Sequence, residues 1–131
     1  MNMEIGIRGQ AETMAAKENS AKEMGSGSLA VFATPAMVAL MEKAACESVQ
    51  PHLKDGETTV GTLMQIEHIN ATPMGMTVKA ESLLEEIDGR KLIFSVQAFD
   101  ESGLIGKGRH ERFIISAERF MEKTNGKLNK A

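Results

Sequence analysis

Apolar residues recur at helical spacing in one stretch of this chain and at strand spacing in most of the rest. Met37, Leu40, Met41, Ala44 and Ala45 fall at i, i+3, i+4, i+7 and i+8, a single stripe down one helix. Thr34 is a suitable N-cap, Pro35 suits the first helical position, and Pro51 stops the helix at about Val49 or Gln50. Strand-like segments follow. Val60–Ala71 places Val60, Thr62, Met64, Ile66 and His68 on one face, and Gly75–Ile87 continues after Thr72-Pro73. An Asp88-Gly89 hairpin returns the chain through Leu92, Phe94, Val96 and Ala98, and a turn at Asp100–Gly103 leads into Leu104–Ser116. Ahead of the helix, Ile5, Ile7 and Met14 allow a strand within Glu4–Ala16, and Leu29–Phe32 is a short apolar run. Lys17–Ser28, ending in glycine and serine, reads as an irregular access loop or a short helical turn. Ala117–Lys123 reads as a terminal helix and Thr124–Ala131 as a frayed tail.

A lone helix with one apolar stripe must be wrapped by sheet to bury that stripe. The pattern therefore predicts a single α+β domain over residues 1–131, an antiparallel sheet wrapped around one long central helix, which is the outline of a hotdog fold. Such a unit leaves a sheet edge and a wide face uncovered, so two copies are expected to pair as a homodimer. The length of 131 residues suffices for one core, and ten Met and five Phe with no Trp or Tyr make that core aliphatic and adaptable. A net charge of −3 gives no reason to expect nucleic acid or an anionic membrane as a partner. No apolar run is long enough to span a bilayer, and Met1–Gln10 lacks the hydrophobic region of a signal peptide. Cys46 is the single cysteine, which excludes an intrachain disulfide and fits a cytoplasmic setting.

Three residues could carry chemistry. Thr34 would place a hydroxyl at the positive end of the helix, beside backbone amides able to hold a developing oxyanion, although capping alone explains a threonine there. Glu42, projected at about 100° per residue, falls at the edge of the apolar stripe rather than on the solvated face of Lys43 and Glu47. His68 lies on the apolar face of its strand; alone it is a satisfied core histidine, but near a buried Glu it becomes a base with its orienting acid. Gly61 either lets the sheet bend or leaves its main chain open to a substrate. Gly106, Gly108, His110 and Arg112 share a face of the last strand, opposite Lys107 and Arg109. That arrangement is either a glycine-relaxed strand with solvated charges or a shallow groove with cationic walls for a nucleotide phosphate. There is no P-loop, no dinucleotide fingerprint and no Cys/His metal spacing, so no metal is predicted.

The run Leu29-Ala-Val-Phe-Ala-Thr-Pro-Ala-Met-Val-Ala-Leu-Met-Glu-Lys-Ala-Ala45 resembles the strand-and-helix signature of the fluoroacetyl-CoA thioesterase-like branch of hotdog proteins. Thr59-Val-Gly-Thr62, His68, Ala71-Thr-Pro-Met-Gly75 and Gly106-Lys-Gly-Arg-His-Glu-Arg-Phe113 continue the match, which spans roughly residues 4 to 123. The resemblance implies hydrolysis of an acyl-CoA thioester to free acid and CoA, at a site formed across a homodimer interface. It gives Thr34, Glu42 and His68 the catalytic roles, with Gly61 contributing its main chain near the reacting carbonyl, and implies no cofactor beyond the coenzyme A of the substrate. Attack by water and passage through a covalent intermediate both remain open. The defluorinating specialist carries a phenylalanine lid shortly before the threonine, where this chain has Gly25–Ser28, so an acyl group other than fluoroacetyl is expected. The alternative is a non-catalytic acyl-CoA or small-ligand binding module on the same fold. A hotdog hydratase is a third reading, disfavoured because no hydratase-type Asp/His loop is recognisable.

Overall fold

The computed structural model describes residues 3–129. In chain order the elements are β1 (Arg8–Met14), α1 (Ala21–Met24), α2 (Thr34–Val49), β2 (Glu57–His68), β3 (Thr77–Asp88), β4 (Lys91–Asp100), β5 (Gly103–Ser116) and α3 (Ala117–Asn125), with short 3₁₀ turns at Lys17–Asn19, Gln50–His52 and Gly126–Asn129. The strands form one antiparallel sheet in the order β1-β3-β4-β5-β2. Both outer strands, β1 and β2, therefore present an unpaired edge in the single chain.

The stripe read from the sequence is the buried face of α2: Met37, Leu40, Met41, Ala44, Ala45 and Val49. It packs on Val78, Ala80, Leu84, Leu92, Phe94, Val96 and Ala98, the inward residues of β3 and β4. Small side chains on both sides let the helix lie close to the sheet. At Gly9 of β1 the approach is so close that a Cβ would collide with the Ala44 backbone of α2. The β3–β4 hairpin turns through Gly89-Arg90, with Gly89 at φ 63°, a region that glycine enters without steric cost.

Four details differ from the sequence reading. First, Thr34 is the first helical residue, and the N-cap is Ala33, which offers no side-chain cap. Second, β2 begins and ends three residues earlier than Val60–Ala71, because the amides of Ile69 and Asn70 both turn to the Ile105 carbonyl and leave the ladder. Third, β2 carries a bulge between Gly61 and Leu63. A bulge inserts one residue and reverses the inward parity. Thr59 and Gly61 thus face the interior on one side of it and Met64, Ile66 and His68 on the other, while Val60 and Thr62 do not share the His68 face. Fourth, the chain beyond Lys123 continues as helix to Asn125 and as a 3₁₀ turn to Asn129, where a frayed tail was expected; Lys130 and Ala131 lie outside the described residues.

Candidate active site

The N-terminus of α2 and the end of β2 meet at Thr34 and His68. Because Thr34 is inside the helix rather than capping it, its hydroxyl is free of the backbone, and Oγ1 lies 2.7 Å from His68 Nδ1. His68 is half-buried, and its Nε2 is buried with no hydrogen-bond partner among the described residues. Burial pushes the imidazole below its usual pKa, and the nearby Asn70 backbone offsets this only in part. The ring is accordingly neutral at physiological pH, able to accept a proton from a hydroxyl held against Nδ1. A cavity of about 270 Å³ opens beside the pair, lined by Ala21, Ser26, Val31, Phe32 and the Ile69–Ala71 segment.

The access loop borders this cavity. Ser20 caps α1 with its hydroxyl, Gly25 ends it at φ 77°, and the amides of Ser26 and Gly27 return to the Ala21 carbonyl. The loop is thus tied by main-chain bonds, and it presents Ser26 to the cavity instead of an aromatic ring.

Glu42 is elsewhere. Its position two turns further along α2 is about 12 Å from Thr34 along the helix axis. Its carboxylate lies over Gly61, where an added Cβ would come 2.8 Å from Oε2. The absence of a side chain at Gly61 is what lets the acid rest on the strand. About 20 Å of strand separates Gly61 from His68, so one chain brings Thr34 to His68 and Glu42 to Gly61 but does not bring all four together.

His110 and Arg112 join the Glu42 group, and not as walls of a groove. Both are buried. The Arg112 guanidinium donates from Nε to Thr59 Oγ1 at 2.8 Å and from Nη2 to the Thr59 carbonyl at 2.9 Å, and Nη1 lies 4.0 Å from Glu42 Oε2. A guanidinium spent on protein partners inside the sheet has no face for a ligand phosphate. The cationic residues of β5 that do reach solvent, Lys107 and Arg109, border a shallow concavity of about 680 Å³ on the opposite face, and Arg109 is paired with Glu111 there at 2.6 Å. Thr59 went unnoticed in the sequence as a contributor to this group. The bulge hides its inward orientation, since strict alternation back from His68 points it outward.

Residues 15–118 match the profile of the family described as FlK, fluoroacetyl-CoA-specific thioesterase. The chain belongs to that family. The fluoroacetyl-CoA thioesterase of Streptantibioticus cattleyicolor is 42% identical over 97 residues, 74% of this chain and 70% of that protein. The solved structure of the fluoroacetyl-CoA thioesterase FlK superposes with a TM-score of 0.90 at 33% identity, covering 97% of this chain and 98% of that one. A thioesterase-superfamily member from Thermus thermophilus superposes with a TM-score of 0.87 at 27% identity, covering 98% and 97%. The wrapped helix is therefore the hotdog fold of the thioesterases, as the hydrophobic pattern and the resemblance both predicted.

Proposed function

We propose that this member of the FlK thioesterase family hydrolyses a short-chain acyl-CoA thioester to the free acid and CoA, at a site built from two copies of the chain. The observation that carries the reading is the 2.7 Å contact between Thr34 Oγ1 and a neutral, partly desolvated His68 at the mouth of a cavity. In it His68 accepts the proton of the attacking nucleophile, whether that is the Thr34 hydroxyl or a water held by it. In this reading the first-turn amides of α2, beside Thr34, stabilise the oxyanion charge that develops on the thioester carbonyl. CoA leaves as a thiolate, a competent leaving group because a thiol is a far stronger acid than an alcohol.

The acid comes from the second copy. β2 is a long open edge, and antiparallel pairing with its symmetry mate about a two-fold at Gln65, with the bulge residue Thr62 left out of the ladder, sets Gly61 of one strand opposite His68 of the other. Glu42 of the second copy, resting on Gly61, then faces the Thr34–His68 pair. The same pairing removes an exposed sheet edge, so dimerisation and completion of the site are one event. A cavity of about 270 Å³ with a serine where an aromatic lid would sit suits a short acyl group without selection for a carbon–fluorine unit. No helix among the described residues is long and apolar enough to cross a membrane, and the unpaired Cys46 accords with action in the cytoplasm.

The test is release of free thiol from a panel of acyl-CoA esters, with His68→Ala as the control. Release by the native protein that falls about 100-fold or more in the variant is the expected result, the size a general base contributes. Equal release by both proteins removes His68 from the mechanism. Tight CoA binding with no release from any ester makes the protein a binding module.

A further inference from the structure

Beneath Glu42 lies a buried network that the reaction as described does not use. Arg112 is 6% exposed and held on three sides: by Thr59 through Nε and Nη2, and by His110, whose Nε2 lies 3.2 Å from Nη1. His110 is fully buried, stacks on Phe94 with ring centroids 6.0 Å apart, and sets Nδ1 2.8 Å from the Leu63 carbonyl oxygen at the β2 bulge. A carbonyl can only accept, so Nδ1 carries the proton. Nε2 is then the acceptor, and Nη1–H of Arg112 donates to it. Burial and the adjacent guanidinium both favour this neutral ring, against the opposing pull of the Leu63 carbonyl, Glu42 and Glu111.

The consequence falls on Glu42. A guanidinium drawn toward His110 stands 4.0 Å from Glu42 Oε2, close enough to attract the carboxylate and too far to hydrogen-bond it. We infer that His110 is a positioning residue for the Glu42 carboxylate: by holding Nη1 of Arg112 it keeps the cation beside the acid without letting the two close into a hydrogen-bonded pair. Both carboxylate oxygens then stay available to the reacting groups. Without the acceptor at position 110, Nη1 moves onto Glu42 and occupies the lone pairs that the chemistry needs. The inference rests on Glu42 belonging to the hydrolytic site.

Two substitutions separate this role from a merely structural one. An asparagine amide reaches about as far as Nδ1 and a glutamine amide about as far as Nε2. His110→Asn therefore keeps the bond to Leu63 and loses the acceptor for Arg112, whereas His110→Gln does the reverse. Crystal structures of both variants and thiol release from acetyl-CoA, with thermal midpoints measured alongside, decide the matter. The expected result is a Glu42–Arg112 contact shortened to about 2.8 Å in His110→Asn, with kcat reduced about tenfold or more and KM little changed, as for a misplaced reacting group. His110→Gln retains most of both. An unchanged contact and a native kcat in His110→Asn overturn the inference, as does loss confined to His110→Gln, which makes His110 a pin for the bulge alone. Absence of thiol release from the native protein rejects the hydrolytic reading instead, and the crystallographic distance still decides whether His110 restrains Arg112.

Discussion

The two ends of β2 are organised in opposite ways. At the His68 end a base is partly exposed, one of its nitrogens lacks a partner among the described residues, and the neighbouring hydroxyl is uncommitted to its helix. At the Gly61 end nearly every polar atom is engaged: Thr59, His110, Arg112 and the Leu63 carbonyl form a closed set, with Glu42 alone reaching out from it, its side chain 43% exposed. One end is poised to take up a proton, and the other is a rigid mount presenting a carboxylate. Neither end alone brings nucleophile, base and an orienting acid together, the grouping on which the proposed hydrolysis rests. The contrast is what the proposed pairing with a second copy would resolve, by bringing the mount of one chain to the base of the other.

Subunit mixing breaks or upholds this comparison most sharply. Homodimers of His68→Ala and of Glu42→Gln each lose both sites. In a mixed dimer one site pairs the intact histidine of one chain with the intact acid of the other, while its second site lacks both. Re-equilibrated mixtures should regain about a quarter of native thiol release, since half the dimers are mixed and each holds one working site. No regain on mixing, with dimers confirmed by light scattering, places the acid and the base in the same subunit and refutes the shared site. Glu42→Gln itself should fold normally, because the buried Arg112 keeps its bonds to Thr59 and His110 and the 4.0 Å approach to Glu42 is too long to be a hydrogen bond.

Gly61→Ala tests the mount alone. An added Cβ would meet Glu42 Oε2 at 2.8 Å and His110 Cε1 at 3.3 Å, so the carboxylate must lift off the strand while the rest of the network gives slightly. The expected outcome is a fall in kcat of about 10- to 100-fold, the scale associated with displacing a reacting group by an ångström or so. The Thr34–His68 contact should be unaltered in the crystal structure. Native turnover in Gly61→Ala would show that the acid does not need its seat on the strand.

Much of this was legible in the sequence. The apolar stripe of α2 and the alternating strands dictate a wrapped helix by burial alone, and Pro51 and Asp88-Gly89 fix where elements end. Thr34, Glu42 and His68 could be picked out because each stands at a special place in those patterns. Their grouping could not. A one-residue bulge reverses the parity of half of β2, and neither hydrophobicity nor turn chemistry marks it: Gly61-Thr-Leu63 reads as ordinary alternating strand. That one misplacement is why His110 and Arg112 read as possible groove walls and why Thr59 went unremarked. Interior direction along β5 depends on which residues of β2 face inward, and only the register reveals it.

The smallest effect distinguishes the two histidines through acid stability. Burial lowers the pKa of His68 and of His110 in the folded chain, while both return to the ordinary value of about 6.5 on unfolding. The unfolded state therefore binds more protons across the interval below 6.5, and stability rises with pH there. The contribution is fully present above 6.5 and is lost as pH falls through 6.5 toward the depressed folded values. His110 is wholly enclosed and His68 only half so, hence replacing His110 with Gln should flatten the thermal midpoint between about pH 5 and 7 more than replacing His68. Midpoints measured by circular dichroism across that range check the order. The reverse order would mean that the closed network at Gly61 tolerates a protonated imidazole better than the open cavity does, and the distinction between a rigid mount and a poised base would fail.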